Sequence, residues 1–274
     1  MKRRPFLHAI PAGGAGLLAG CTEQVLKTES SIEANDVFAG RWFDDTDLVV
    51  EFRDPADVET VSLRNWRTDE TYETIDQPGE TARFTVVFPE RLETYIGDSL
   101  QIAAKTSEGR ADQHVRGRVH AYATAVEPLS DGRARIDLEN QADAPLLVRF
   151  VGITGDVPNP SIDPLADSVD QSSLPYDPGV VGVGTDRPLT TDRSDLVVTG
   201  GETATFETTD APFAFTDTEA TVSCGDGSER TARITVVHAS GGTASYTFSV
   251  GLDGDPASVD GRATVCDATE TSRE

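Results

Sequence analysis

The sequence predicts an all-β fold, with β-sandwich domains at residues 36–127 and 128–274 behind a polar tether at 22–35. Three observations carry that expectation. Short runs rich in β-branched and aromatic residues recur along the chain, and several alternate apolar with polar as half-buried strands do. Turn chemistry separates them: "RDPAD", "DQPGE", "IGD" and "SEGR" supply the Gly, Pro and Asp that end strands. No sustained helical period appears between Asp36 and Ala123.

The first set of expected strands is "DLVVEF" (Asp47–Phe52), "TVSLRNW" (Thr60–Trp66), "ARFTVVF" (Ala82–Phe88), "SLQIAA" (Ser99–Ala104) and "HVRGRVHAYA" (His114–Ala123). A second set opens with "RARIDLEN" (Arg133–Asn140) and "PLLVRFVGI" (Pro145–Ile153). A Pro-, Asp- and Gly-rich stretch, residues 154–195, then intervenes. Structureless segments of that length are either functional or disordered. Beyond it lie "LVVTG", "TATFETT", "EATVSC", "RTARITVVHAS", "TASYTFSVGL" and "GRATVC". "VVHASGGTASYTF" reads as a hairpin turning at Ser240, Gly241 and Gly242.

Two internal echoes support a division into two units. "PGETARF" (Pro78–Phe84) recurs as "GGETATF" (Gly200–Phe206), and "TARFTVV" (Thr81–Val87) as "TARITVV" (Thr231–Val237). In each, a turn or polar segment leads into an alternating strand. These stretches resemble the strand entries of immunoglobulin-like domains in surface proteins. The resemblance implies two immunoglobulin-like β-sandwiches.

The N-terminus reads differently. Lys2, Arg3 and Arg4 precede an uncharged run from Ala9 to Gly20. That run falls short of the about 20 apolar residues needed to span a bilayer. Its four glycines and Pro11 argue against a core helix. A positive head before a short apolar run is the arrangement of a secretory signal. "RRPFL" (Arg3–Leu7) resembles the twin-arginine export motif, with Lys2 and His8 departing from its commonest flanks. "LAGC" (Leu18–Cys21) resembles a lipobox. These resemblances imply that residues 1–21 are a signal peptide with Arg3 and Arg4 as export-recognition residues. They also imply that Cys21 is the lipid attachment point, holding the protein on the extracellular face of the cell membrane.

Composition bounds the partners. The chain has 47 acidic and 23 basic residues, a net charge of −24. Its only lysines are Lys2, Lys27 and Lys105. Such a surface repels nucleic acid. At molar salt the Debye length falls to about 3 Å, so dispersed carboxylates scarcely repel each other. Acid-rich, Lys-poor composition resembles that of haloarchaeal proteins, whose lipoproteins commonly use twin-arginine export. A calcium or cationic-partner role is the alternative for the acids, and their dispersal along the chain favours solvation.

Cys224 and Cys266 remain after the anchor. In an exported protein they are expected to form a disulfide. A metal pair is the other reading, but no CxxC supports it. The only Met is Met1 and no His follows Cys266, so the two-His, Cys and Met set of a blue-copper centre is lacking.

The sequence has no GxSxG elbow, HExxH, P-loop or dinucleotide fingerprint. No catalytic residue, cofactor or metal site is therefore expected. Asp253, Asp255 and Asp260 form a Gly/Asp turn that also offers calcium-type oxygens. His114 and His120 fall on one expected strand and one face, about 20 Å apart at strand rise, too far to share a metal. Trp42, Trp66 and Tyr72 serve either as packing residues or as a sugar-facing platform. The 154–195 loop, with Tyr176 its single aromatic, is the other candidate contact region.

The function expected is therefore a cell-surface lipoprotein with a non-catalytic binding or structural role. Its partners would be the membrane, through the lipid, and an envelope protein or glycan. An accessory subunit of an exported enzyme, or of a solute-capture system, is the alternative.

Overall fold

The computed structural model describes residues 30–97, 99–117, 119–129, 132–169, 193–208, 211–214, 229–253 and 264–273. Among them the fold is almost entirely antiparallel β. The one α-helix, α1, is the four-residue Ala34–Val37.

The first group of strands is β1 (Phe38–Asp44), β2 (Asp47–Phe52), β3 (Val58–Asn65), β4 (Glu70–Asp76), β5 (Thr81–Thr85), β6 (Val87–Phe88), β7 (Glu93–Thr94), β8 (Leu100–Thr106) and β9 (Arg110–His114). They form a three-stranded sheet, β1-β2-β5, and a four-stranded sheet, β4-β3-β8-β9, with β6-β7 as a short ribbon. Alternation explains the faces. Ala82 and Phe84 on β5, Val61 and Leu63 on β3, and Ile102 and Ala104 on β8 all turn inward and are buried. Burying each large side chain contributes about 1.5–3 kcal/mol. β4 is an edge strand carrying Glu70, Glu73 and Asp76, charges that discourage pairing with another chain.

The second group is β10 (Ala121–Pro128), β11 (Ala134–Asn140), β12 (Leu146–Gly155), β13 (Val197–Val198), β14 (Thr203–Glu207), β15 (Glu229–His238), β16 (Thr243–Asp253) and β17 (Thr264–Arg273). Its sheets are β10-β11-β14 and β13-β12-β15-β16-β17. The orders match strand for strand: β1-β2-β5 corresponds to β10-β11-β14, and β4-β3-β8-β9 to β13-β12-β15-β16. The second group then adds β17 beyond β16. The echo of "PGETARF" in "GGETATF" falls on equivalent strands, β5 and β14, and puts buried Phe84 and Phe206 in the same place. The turn geometry repeats as well. Phe52, at the end of β2, donates its N–H to the carbonyl of Glu80, and Asn140, at the end of β11, does the same to Glu202. The other echo does not correspond. "TARFTVV" lies on β5 and β6 but "TARITVV" on β15, which sits in the larger sheet.

Four expectations change. The polar stretch before Asp36 is not all free tether. Ile32 donates to the carbonyl of Arg110, and the Arg110 N–H to the carbonyl of Ser30, so the chain is docked on the edge of β9 from Ser30 onward. An open edge leaves such backbone groups unpaired, and Ser30–Ile32 fills them. The run His114–Ala123 is not one strand: β9 ends at His114 and β10 starts at Ala121. Gly117 lies where a Cβ would come 2.5 Å from Cγ2 of Ile96, so the connection passes close to that side chain. β10 pairs with β11, so the second group begins before the expected boundary at residue 127. The 154–195 loop begins as ordered structure: Thr154 and Gly155 still pair with β15, and Ser161 closes back on Ile153 by backbone and hydroxyl bonds. The hairpin at Ser240–Gly242 forms as expected, with Val237 opposite Thr243 and Gly241 at φ 88°.

Buried residues of both groups belong to one continuous hydrophobic cluster. Tyr246, on β16, donates its hydroxyl to the carbonyl of Ala121 at the start of β10. That bond lies within the second group, and residues of both groups line the concave surface described next.

Candidate functional site

β1 is an edge strand, and its residues alternate across that edge. Phe43 sits opposite Leu48 of β2 and packs against the core. Its neighbour Trp42, opposite Val49, must point the other way and remains 46 % exposed. Arg41, opposite Val50, falls on the face of Phe43 by the same alternation and is exposed. A tryptophan left this open on a strand offers a flat apolar face to solvent.

The second wall comes from the other group. Asn140 ends β11 and is fully buried. Its amide donates to the carbonyl oxygens of Ala144, at 2.8 Å, and Val198, at 2.9 Å. Its side-chain oxygen accepts from the Ala142 N–H at 3.2 Å. The turn at Gln141–Asp143 is thereby fixed against the β13–β14 turn. Gly200 is needed for that contact, since a Cβ there would lie 2.5 Å from the Asp143 carbonyl oxygen and 2.7 Å from that of Ala142. Gly201 follows at φ 78°, a left-handed conformation that favours glycine, and donates its N–H to the Asn140 carbonyl. Arg116, on the connection between β9 and β10, completes the rim.

Together these segments enclose a groove of about 500 Å³, bounded by Arg41, Trp42, Arg116, Gln141, Asp143 and the Gly200–Gly201 turn. That volume lies within the range of small-molecule sites, about 300–1,000 Å³. Its charge comes from two arginines, Arg41 and Arg116, beside one carboxylate, Asp143. Arg64, Arg83, Arg91, Arg110 and Arg135 each hold a carboxylate. Arg41 and Arg116 have no carboxylate partner among the described residues. Among the described residues, two guanidinium groups without a carboxylate partner thus border one concave surface of a strongly acidic protein.

His238 ends β15 and is 5 % exposed, with neither ring nitrogen hydrogen-bonded among the described residues. Burial, and secondarily the nearby His120, lower its pKa to about 4. It is held neutral, and Gly242 leaves the ring its space, since a Cβ there would lie 3.2 Å from Nδ1.

The residues singled out from the sequence separate. Trp42 lines the groove, whereas Trp66 follows β3 in the other sheet and does not. Trp66 packs edge-on to His114 at 5.3 Å, with Arg67 over its face. Tyr72 stacks on Tyr95 at 4.0 Å. His114 and His120 do not share a strand face; His120 instead stacks on Tyr122 at 4.6 Å. Arg3, Arg4, Cys21, Tyr176, Cys224, Asp255 and Asp260 lie outside the described residues. Cys266 falls on β17 and Asp253 ends β16. Among the described residues no group of three or more His, Cys, Asp or Glu is placed to hold a metal ion, and no helix is long and apolar enough to cross a membrane.

The sequence reading missed Arg41, Arg116 and Asn140. The available signal was "LENQADAP" (Leu138–Pro145), an Asn closing a strand before a turn, together with "TGGE" (Thr199–Glu202). No protein-family model matches the chain, and no curated protein matches it.

Proposed function

We propose that this protein is an exported lipoprotein of the cell surface that binds a ligand, without chemistry, in the groove between two immunoglobulin-like β-sandwiches. The observation that carries the reading is the groove itself: exposed Trp42 beside Arg41 and Arg116, on a floor fixed by buried Asn140. The strand orders β1-β2-β5 and β10-β11-β14, each accompanied by a larger sheet, support the immunoglobulin-like assignment. Rigid β scaffolds present recognition surfaces at junctions and turns. The Arg3–Arg4 pair and Cys21 support the export and anchoring part, and the acid excess supports a high-salt habitat.

Each part has its test. Cys21→Ser should move the protein from the membrane fraction to the medium; retention on membranes would remove the anchor from the account. Full-length protein, immobilised at molar salt, should retain a cell-envelope glycan fraction, and Trp42→Ala should lose it. Equal retention by the wild type and the Trp42 variant would overturn the groove as the binding site.

A further inference from the structure

We propose that the groove recognises a carboxylated sugar, such as a uronic acid unit of an acidic glycan. This rests on the groove being the binding site, as argued above, and adds the class of ligand.

The lining sets three requirements at once. Arg41 and Arg116 line the groove with no carboxylate partner among the described residues, beside the single carboxylate of Asp143, so the lining offers a net positive charge to an anionic group on the ligand. Guanidinium is the side chain suited to this, because its planar fork matches a carboxylate in two parallel hydrogen bonds. Such contacts, at about 2.8 Å, lie within the Debye length of about 3 Å at 1 M salt, so the pairing persists where longer-range attraction is screened. Trp42 supplies an exposed flat face, which calls for an apolar surface on the ligand.

The remaining lining combines the apolar Phe43, Leu48 and Ala142 with polar and small residues. Gln141 offers donor and acceptor together, and Asp143 offers acceptors. Gly200 and Gly201 bring the chain to the rim without side chains, so a ligand can approach closely there. Several hydroxyls, one carboxylate and one apolar ring face are what a sugar acid presents. A neutral sugar satisfies the tryptophan and the amide but leaves both arginines unpaired. A simple inorganic anion satisfies the arginines but not Trp42.

The test is titration calorimetry of the full chain in detergent at molar salt, using methyl glucuronide and methyl glucoside as probes. These differ only in whether the ring carries a carboxylate or a hydroxymethyl group. Methyl glucuronide should bind about tenfold or more tightly than methyl glucoside, the scale of a charged hydrogen bond gained. Arg116→Ala and Arg41→Ala should bring the glucuronide down to the glucoside level, and Arg116→Lys should fall between. Trp42→Ala should abolish binding of both, while Trp66→Ala, outside the groove, should bind as the wild type does. Unchanged thermal melts would show that the variants are folded.

Equal affinity for the two probes would overturn the proposal, and so would glucuronide binding that survives both arginine variants. Glucoside binding that depends on Trp42 and equals that of the glucuronide would leave the groove as the site and remove the acid from its ligand. Failure to bind either probe would overturn the proposal. Envelope-glycan retention that ignored Trp42→Ala would remove the groove itself.

Discussion

The side-chain amide of Asn140 donates to the carbonyl oxygen of Val198 at 2.9 Å, joining positions 58 residues apart. With its bonds to Ala144 and Ala142, this one side chain ties together the two turns that floor the groove. Asn140→Ala would take their side-chain partner from two buried carbonyls and one part-buried N–H. Unsatisfied groups of this kind cost about 1–3 kcal/mol each, less whatever water recovers. The variant should lose about 3 kcal/mol in a denaturant melt. A loss below about 0.5 kcal/mol, the scale of ordinary surface changes, would show that the turns do not depend on Asn140.

Gly200 and Gly79 make a paired prediction, because both lie in the repeated turns that lead into β14 and β5. A Cβ at Gly200 would press on the carbonyls of Asp143 and Ala142, whereas one at Gly79 meets nothing within 4 Å. Gly200→Ala should therefore destabilise by about 1–3 kcal/mol. Gly79→Ala should be neutral or slightly stabilising, since alanine restricts the unfolded chain. Thermal melts of the two variants decide it, and equal effects would count against the close turn-to-turn approach.

His238 gives stability a pH dependence whose sign follows from its burial. Its pKa is lowered from 6.5 in the unfolded chain to about 4 in the fold, so the native state holds it neutral. Its contribution is complete above pH 6.5 and is lost as pH falls toward about 4, because only the unfolded chain takes up the proton in that window. The loss should approach about 3 kcal/mol. His238→Phe should flatten this slope in pH-dependent denaturant melts. A slope identical in wild type and variant would assign the acid sensitivity to other groups.

The net charge of −24 predicts a salt dependence in the opposite sense to that of a protein held by ion pairs. Diluting salt lengthens the screening distance and exposes the carboxylates to each other. The melting temperature should rise steadily from millimolar to molar KCl. A melting temperature that does not change with salt would remove the high-salt habitat from the account.

What the sequence showed and what it hid have physical reasons. β2 was legible to its ends, Asp47 and Phe52, because both boundaries carry turn residues and its interior is strongly apolar. The β15–β16 hairpin was legible from Ser240-Gly241-Gly242. β1 and β4 were not, since each is an edge strand. "FAGRWFD" contains a glycine and exposes four of its seven residues, and "ETYETID" has only two half-buried positions. The break after His114 was hidden because β-branched residues continue through it. The groove was hidden for a different reason. Its walls come from residues 41–43, 116, 141–143 and 200–201, and only the register of two separate sheets brings them together. Trp42 was visible as a candidate, but its arginine partners were not, because an unpaired arginine is defined by what the fold fails to place beside it.

The most direct test of the central claim is amide hydrogen exchange on the full chain, with and without the envelope glycan fraction at molar salt. The account predicts slower exchange on binding at residues 41–43, 141–143 and 200–202, with no change at Arg67–Asp69 beside Trp66. Protection at Arg67–Asp69 with none at the groove would place the ligand elsewhere and contradict the account.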